Sequence, residues 1–541
     1  MSEPQGHTST ETLTRVVNPI WNIEDKDSTV LDTSITDRYY IKVQNNYGTV
    51  EPTTQRLRFL CQNKVDYIQM SETIFHVQFN VVYAGPLATR EVTVADDIRS
   101  LFSRVQVKLS NTTVEDRLNI QEIAACERLF WTDQQRSSGI ATGMMAYDDR
   151  TRDVGSLMEE LIIGETQESG AGNYTRQGTL AVNQWTAGVL GDPVKITNFN
   201  TIHSGNGIKF FMTQDSKQCD AFFRLSDVCD FFKNYKSVCR GVQLEVLFEK
   251  GSNYRAIQWG VNTAVDAADE IRFVNPQSGP AGSRNPYANG MVMYVPVVRP
   301  SPVQLNLLED KLAKGVLADV MYERADVYYS PNLTGLRNTW RVVNTPFKIT
   351  KAIIYFQQYD IASPGQQTLK TLHSFHSNGE MEQVSLTLNG NNIPSVHQIQ
   401  SFFERSIGAN SDVQLAGASV TGTRAETSQM YIEYQKMCHS LAAAYPQSNF
   451  TGQAGLDAES FKYNYPSWCF NVAENYSNQS SWDNDRQTSE LILNWESAGM
   501  GPQGTPWAAG TSTLRAVCVL YTLHQVNLQF GSGMEAMVRA L

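Results

Sequence analysis

The sequence has few charged residues and no long apolar run, and each deficit excludes a class of protein. Asp, Glu, Lys and Arg make up 18% of its 541 residues, and the net charge is −11. A dedicated nucleic-acid-binding protein normally carries a basic face or tail, so we expect no specific nucleic-acid binding. A membrane-spanning helix needs about 18 or more uninterrupted apolar residues, and no segment approaches that length. We therefore expect nothing in the chain to span a membrane.

The N-terminal sequence lacks the features of a targeting signal. MSEPQGHTSTETLTRV contains no apolar stretch of the kind that a secretory signal requires. Position 2 is Ser2, whereas N-myristoylation needs a glycine there. We expect residues 1–30 to form a flexible polar arm.

The cysteines and histidines do not show the spacing of a metal site or a disulfide framework. The eight cysteines include no CxxC pair, and in a long chain without a signal we expect them to be reduced and mainly buried. Cys219, Cys229 and Cys239 are spaced by ten, too far apart for a zinc ribbon. His373 and His376 are close together but lack a third ligand, so a surface loop is the favoured interpretation.

The chain also lacks the familiar catalytic motifs. It contains no GxSxG, HExxH or phosphate-binding P-loop. GMGPQG at 499–504 fits the letters GxGxxG, but Pro502 opposes the helix that a dinucleotide site needs, so a glycine-rich loop is favoured. The acidic VDAADE at 265–270 is typical of a solvated loop. We predict no catalytic, cofactor-binding or metal-binding residues and no cofactor, and we expect the chain not to be an enzyme.

Strand patterns dominate the chain. Nine segments show period-two alternation or short apolar runs separated by turn residues, and long polar insertions lie at 164–206 and 276–290. This pattern predicts an all-β fold of packed sheets with decorated loops and a few short helices.

One short stretch occurs twice. VQVKLSNTTV at 105–114 matches VSLTLNGNNI at 384–393 position by position, each an apolar/polar alternation that ends in an Asn-containing turn. A helix is predicted after each copy, over 118–130 and over 396–407. The second copy begins 279 residues after the first, counted from Val105 to Val384. We predict that the copies are equivalent hairpins in two related domains.

A second, weaker sequence repeat and two more predicted helices complete this organisation. FRLSDVCDFF (223–232) matches YNYPSWCFNV (463–472), with Cys229 aligned to Cys469. Another amphipathic helix is predicted over 428–441. A Ser-Pro pair that can start a helix and a glycine that can end it predict a connector helix over 301–315.

These boundaries predict two tandem eight-stranded jelly rolls. The predicted division is a flexible arm over 1–30, a first jelly roll over 31–300, the connector helix over 301–315 and a second jelly roll over 316–541.

An ordered series of segments resembles the double jelly-roll major capsid proteins of polinton/Maverick elements, polinton-like viruses, adintoviruses and, more distantly, virophages. It covers roughly residues 50–530, while the loops 135–206 and 408–455 match nothing. The segments that carry the resemblance are RLRFLCQNKVDYIQMSETIFHVQFNV (56–81), SLFSRVQVKLSNTTVED (100–116), DAFFRLSDVCDFFKNYKSVCRGVQLEVLF (220–248), MVMYVPVVRPSPVQLNLLEDKL (291–312), WRVVNTPFKITKAIIYFQ (340–357), VSLTLNGNNIP (384–394), FKYNYPSWCFNV (461–472) and LRAVCVLYTLHQVNLQF (514–530).

The resemblance implies a structural protein of the virion. Such proteins form homotrimers whose six jelly rolls make a pseudo-hexameric capsomer, and these tile an icosahedral capsid around double-stranded DNA. The implied partners are further copies of the chain, neighbouring trimers, and penton and minor capsid or cement proteins. The implied location is the capsid shell, assembled inside the host cell. The sequence identifies no host receptor and no internal membrane.

Two alternatives remain open at the level of sequence. One is a non-viral or surface β-sandwich that binds glycans, as many jelly rolls do. The other is a β-sandwich enzyme with a cupin-like metal site, although the His/Glu ligand pattern of such a site is absent.

Overall fold

The computed structural model describes two groups of β-sheets and four α-helices. The described residues are 35–47, 50, 54–62, 65–82, 91–94, 97–131, 143–144, 211–212, 219–251, 257–259, 270–274, 290–313, 315–331, 337–360, 368–369, 381–393, 399–400, 429–444, 456, 461, 465, 467–472, 489–497, 512–530 and 537–540.

Strands β1 to β13 lie in the first half of the chain. They are β1 (Ile35–Val43), β2 (Arg56–Cys61), β3 (Tyr67–Ile68), β4 (Ile74–Val82), β5 (Glu91–Val94), β6 (Phe102–Leu109), β7 (Thr112–Leu118), β8 (Phe211–Met212), β9 (Cys219–Arg224), β10 (Leu244–Lys250), β11 (Ile257–Trp259), β12 (Glu270–Phe273) and β13 (Met291–Pro300).

Strands β14 to β24 lie in the second half. They are β14 (Val316–Tyr329), β15 (Arg337–Thr345), β16 (Ile349–Asp360), β17 (Thr368–Leu369), β18 (Met381–Leu388), β19 (Asn391–Ile393), β20 (Ile399–Gln400), β21 (Trp468–Asn471), β22 (Ser489–Ser497), β23 (Ser512–Phe530) and β24 (Met537–Ala540). The α-helices are α1 (Ile120–Leu129), α2 (Phe231–Asn234), α3 (Pro302–Ala313) and α4 (Gln429–Ala444), and 3-10 turns cover Met70–Glu72, Ile98–Leu101 and Leu225–Asp227.

Each half contains two main sheets with the same order of strands, and the described part of the first half also has a three-stranded sheet, β11-β5-β8. In the first half, one sheet runs β1-β13-β4 with β9 beside β4, and the other runs β2-β10-β6-β7. In the second half, the corresponding orders are β14-β23-β16 with β21 beside β16, and β15-β22-β18-β19. Numbered along the chain, the eight main strands of each half therefore lie in the orders 1-8-3-6 and 2-7-4-5. This is the double Greek-key arrangement of a jelly roll, so the predicted fold class is confirmed.

The two copies of the repeated stretch form equivalent hairpins. Ser110 and Asn111 both have positive φ between β6 and β7, and so do Asn389 and Gly390 between β18 and β19. Two successive positive φ values define the type I′ turn that suits a two-residue hairpin loop. The amide of the first turn residue is also bound equivalently, because Ser110 donates to the Gln243 carbonyl at 2.9 Å and Asn389 to the Glu490 carbonyl at 3.0 Å.

The equivalence ends with a β-bulge in the first hairpin. Val107 pairs with Glu115, whereas the matching Leu386 pairs with Ile393. Val114 is therefore an extra residue, and the predicted correspondence of Val114 with Ile393 is wrong by one position. A bulge shifts the residues beyond it to the opposite face, so Glu115 points into the protein.

Three of the four predicted helices are present. Helix α1 lies within 118–130, α4 covers 429–444, and α3 begins at Pro302, where the Gln304 amide donates to Ser301 Oγ at 3.4 Å. Gly315 adopts a φ of 69° just beyond α3. The helix predicted over 396–407 is wrong at its start, because residues 399–400 form β20 and pair with β18. The rest of that prediction lies outside the described residues.

The two segments of the weaker repeat, 223–232 and 463–472, do not occupy equivalent positions in the two jelly rolls, contrary to the prediction. Cys469 lies in β21, which pairs with β16 as β9 pairs with β4. Cys229 instead follows β9 and a 3-10 turn, two residues before α2 begins at Phe231. The counterpart of β21 is therefore β9. The alignment of Cys229 with Cys469 is wrong, because these identical residues lie on different secondary-structure elements.

Candidate functional site

Helix α1 lies between the two jelly rolls and is buried on almost every side. Ile120 belongs to the apolar core of the first jelly roll, whereas Ile123, Cys126 and Leu129 belong to the core of the second. Apolar side chains at helical spacing predict one buried face. Here one helix contributes side chains to both cores, so α1 is part of the junction between the two jelly rolls.

The second jelly roll also contributes to the first core. Tyr322 of β14 packs edge-on against Phe231 with ring centroids 5.6 Å apart, and its hydroxyl donates to the Val114 carbonyl at 2.7 Å. Val526 and Leu528 of β23 join the same core. The two cores therefore interlock.

The edge of β14 is capped by side chains of the first jelly roll. Asn234 Nδ2 donates to the Met321 carbonyl at 2.9 Å, and the Ala325 amide donates to Asp230 Oδ2 at 3.1 Å. An edge strand exposes backbone groups that have no partner in its own sheet. These two side chains supply partners and fix the strand against α2.

Arg117 is the centre of an ion network behind this edge. Its side chain is 1% exposed, with Nε 2.6 Å from Glu115 Oε1 and Nη1 3.9 Å from Glu127 Oε1. Its Nη2 atom contacts Asp230 Oδ2. The guanidinium thus connects strand β7 to helices α1 and α2.

Arg99 enters the same network from the 3-10 turn before β6. Its Nη2 lies 2.8 Å from Asp97 Oδ2, its Nη1 pairs with Glu127 Oε2, and the same Nη1 donates to the Asp227 carbonyl at 2.8 Å. A side chain only 2% exposed needs partners of this kind, because burying an unpaired charge costs several kcal/mol.

Glu127 of α1 is shared by three cations. Lys233 Nζ lies 2.5 Å from its Oε1, and Arg99 and Arg117 approach the same carboxylate. Burial by itself would raise the pKa of Glu127, but the attraction of Lys233, Arg99 and Arg117 lowers this pKa to about 2. The carboxylate is therefore ionised at any ordinary pH.

Cys229 is a hydrogen-bond donor in the network rather than a nucleophile. Its Sγ donates to Glu115 Oε2 at 2.9 Å, and the Phe231 amide donates to the same oxygen at 3.1 Å. Burial and the neighbouring Glu115 raise the pKa of the Cys229 thiol well above its usual value. Nucleophilic attack requires the thiolate, which this environment disfavours.

Helix α1 makes further polar contacts with the second jelly roll. Gln357 Nε2 donates to Glu122 Oε1 at 3.2 Å, and the Tyr434 hydroxyl donates to the Leu129 carbonyl at 2.7 Å. The Arg128 guanidinium lies 5.9 Å from the ring centroid of Tyr465. These contacts oppose sliding or rotation of one jelly roll on the other.

The side chains weighed as sites from the sequence do not form one in the described part of the chain. His373, His376 and the GMGPQG stretch lie outside the described residues. Cys229 and Cys239 are buried as expected, and the seven cysteines described are free thiols. No group of three or more potential metal ligands occurs among the described residues. Among those same residues, no helix has the length and apolarity to cross a membrane.

Sequence reasoning missed the junction network entirely. Alternation predicts that Glu115 and Arg117 face solvent, and only the bulge at Val114 turns them inward. The single local signal is a helix rich in small residues, AAC at 124–126, which permits close packing on two sides.

No protein-family model matches the chain, and no curated protein sequence matches it. Solved structures do match. A chain of the Sputnik virophage, solved by cryo-EM, is similar over 98% of this chain and 93% of its own, with 9% sequence identity and a TM-score of 0.52. The chain has the double jelly-roll fold.

Two further solved structures are similar to this double jelly roll. The mavirus major capsid protein is 9% identical over 100% of this chain and 97% of its own, with a TM-score of 0.48. The PBCV-1 virus capsid model is 10% identical over 94% of this chain and 98% of its own, with a TM-score of 0.43.

Proposed function

We propose that the double jelly roll is a viral major capsid protein, which forms a homotrimer that tiles an icosahedral shell around double-stranded DNA. The observation that carries the proposal is the pair of jelly rolls with identical strand orders in one chain, joined through a buried ionic junction. The likeness in fold to a chain of the Sputnik virophage supports it.

The duplication suits a hexagonal tile made by three chains. Three copies bring together six jelly rolls, and the two in each chain present similar edges to their neighbours. A repeated head-to-tail contact closes into a ring when its rotation divides the circle evenly. A threefold oligomer then has nearly sixfold edges, which is the geometry that a pseudo-hexameric capsomer needs.

The buried junction supplies the rigidity that such a tile requires. Network residues Arg117 and Glu115 are each 1% exposed, and Arg99 is 2% exposed. Shifting one jelly roll against the other would separate these charges from their partners inside the protein, at a cost of several kcal/mol. The angle between the jelly rolls is therefore fixed within the chain, before assembly.

The charge of the chain agrees with a shell that encloses DNA without binding it tightly. At a net charge of −11, the chain has little capacity for phosphate contacts, and other virion components would supply positive charge. Its partners are then neighbouring trimers and the penton and minor capsid or cement proteins, and its location is the virion. Its role is structural rather than enzymatic.

The division of the chain follows from the same proposal. The first jelly roll covers 31–300 and the second covers 316–541, with the connector helix over 301–315 and an N-terminal arm over 1–30. The end of β13 at Pro300 and the start of β14 at Val316 support these limits.

The mass of the full-length chain in solution tests the proposal. Light scattering after size exclusion should give about 182 kDa, three times the 60.6 kDa of one chain, and negative-stain images should show hexagonal particles. A stable monomer at all concentrations contradicts the proposal. Glycan-array binding by such a monomer would favour the alternative, a surface β-sandwich that binds glycans, which no feature of the described residues favours.

A further inference from the structure

A buried lysine of the second jelly roll lies against a buried carboxylate. Lys351 Nζ on β16 is 2.6 Å from Glu323 Oε1 and 2.5 Å from Glu323 Oε2 on β14, and these side chains are 3% and 11% exposed. The Tyr521 ring centroid lies 6.0 Å from the same Nζ atom. The contact is close enough for a proton to pass directly from the ammonium to the carboxylate. The neutral amine that results is a nucleophile.

Asn471 of β21 faces the same lysine. The two residues are opposite each other in the antiparallel pairing of β16 with β21, so their side chains lie on one face of the sheet. In the next pair, the Val472 amide donates to the Thr350 carbonyl at 2.9 Å. Because hydrogen-bonded and non-hydrogen-bonded pairs alternate, Lys351 and Asn471 form a non-hydrogen-bonded pair, the kind whose Cα atoms are only about 4.5 Å apart.

The Asn471 carboxamide is buried without a hydrogen bond. The residue is 8% exposed, yet neither its Nδ2 nor its Oδ1 atom has a partner within the protein. Such groups are rare in folded proteins, because a buried amide that makes no hydrogen bond destabilises the fold. A reaction that removes the Asn471 NH2 group would relieve part of that cost, and the lysine on the facing position is the nucleophile within reach.

We propose that Lys351 Nζ and Asn471 Cγ join in an isopeptide bond, with Glu323 as the group that takes up the lysine proton. Once Glu323 has accepted that proton, the neutral amine turns on its flexible four-carbon stem and attacks the carboxamide carbon. The new bond from Nζ to Cγ forms, the bond from Cγ to Nδ2 breaks, and a second proton passes from Nζ to Nδ2, which leaves as ammonia. Ammonia takes the proton back from Glu323 and departs as ammonium. The carboxylate is restored, and no oxidant or other reactant is consumed.

The bond would fasten a short strand to its sheet. Strand β21 has four residues, and β16 is its only paired strand among the described residues. The bond would also close a loop of about 120 residues, counted from Lys351 to Asn471. Closing such a loop restricts the unfolded chain and should raise Tm by on the order of 10 °C. All three side chains belong to one chain, so the inference does not rest on the proposed function.

The mass of the intact full-length chain tests the proposal. The wild type should be lighter than its sequence requires by about 17 Da, the mass of one ammonia. Tryptic digestion should give one branched peptide that contains both Lys351 and Asn471, without cleavage after Lys351. The variants Lys351→Arg and Asn471→Ala should each have the full mass of their sequences. A wild type of full mass, or one whose missing ammonia maps to another residue, overturns the proposal.

Asn527→Ala is the matched control for the asparagine. Asn527 Oδ1 is also buried without a partner, but Asn527 faces Asp319 of β14 instead of a lysine. The control should therefore still lose about 17 Da, and it should melt higher than Asn471→Ala by on the order of 10 °C. Loss of the branched peptide in Asn527→Ala would overturn the assignment to Asn471. Equal melting temperatures would overturn the claim that the bond stabilises the second jelly roll.

Glu323→Gln tests the proton acceptor. In samples taken during cell-free translation, the branched peptide should form at least about a hundredfold more slowly in Glu323→Gln than in the wild type, because the amide takes up no proton. An equal rate overturns the role of Glu323. If this variant does not fold, the wild-type mass still decides whether the bond exists. A trimer without the bond overturns this inference alone, and a monomer that carries it overturns the proposed function alone.

Discussion

Replacing Arg117 by methionine tests whether the buried network holds the two jelly rolls together. Methionine has a similar length and volume but no charge, so the change creates little cavity. It leaves the Glu115 and Asp230 carboxylates without the guanidinium that contacts both. Removing one partner of a buried ion pair typically costs about 3–5 kcal/mol, because the remaining charge stays buried.

Arg104→Met is the matched control on the same hairpin. Arg104 pairs with Asp116 at 2.6 Å, the distance between Arg117 and Glu115, but the two side chains are 29% and 33% exposed. Exposed ion pairs contribute about 0–1 kcal/mol, since water screens their charges. The two variants therefore remove the same kind of contact from the same hairpin and differ in burial.

Differential scanning calorimetry of the full-length chain measures the difference. For a unit the size of one jelly roll, 1 kcal/mol shifts Tm by about 2–4 °C. Arg117→Met should therefore lower Tm by on the order of 10 °C, and Arg104→Met by less than about 4 °C. The triple variant that also carries Glu115→Gln and Asp230→Asn should recover part of the loss, because its amides need no counter-charge.

The reasoning is refuted if Arg117→Met melts within the range of Arg104→Met. Such a result would mean that the two carboxylates find solvent or other cations when Arg117 is absent. The network would then be a consequence of the junction and not one of its causes.

Two further predictions concern pH and turn geometry. Because Glu127 has a folded pKa of about 2 against an ordinary value of 4.5, it contributes about 3 kcal/mol of stability above pH 4.5, which is lost as pH falls toward 2. Urea unfolding from pH 6 to pH 2.5 should show this loss in the wild type and a shallower one in Glu127→Gln; parallel curves would contradict the assignment. Gly390 has a φ of 82° with nothing within 4 Å of an added Cβ, so Gly390→Val should lower stability by about 1–2 kcal/mol through backbone strain alone. Gly390→Asn should cost only a few tenths of the stability that Gly390→Val loses, because Asn111 occupies the matching position of the first hairpin at a φ of 69°. Equal melting temperatures for the two variants would count against a type I′ turn.

Much of the fold was predictable because its signals are local. The alternation in β6 and β18, the Asn-containing turns and the Ser301-Pro302 helix start each depend on neighbours within a few residues. Where local signals conflicted with pairing, prediction failed. Ile399 and Gln400 carry a helical pattern, but pairing with β18 makes them a strand.

The candidate site was not predictable, because its members come from separate elements. Arg99, Arg117, Glu127 and Asp230 lie on a 3-10 turn, a strand, and two different helical regions. Each looks in the sequence like an ordinary charge on a solvated face, and burial is decided by what packs on top. One bulge, at Val114, turns Glu115 and Arg117 inward, and no letter of the sequence marks it.

The amino-acid sequence by itself determined that this chain is an all-β protein with a duplicated hairpin, because strand periodicity and turn chemistry are properties of short segments. The tertiary structure alone decided that helix α1 belongs to both cores and that the charges behind β14 are buried. The reason is physical: burial and edge coverage depend on which distant surfaces meet, and residues far apart in sequence acquire a shared environment only when the chain has folded.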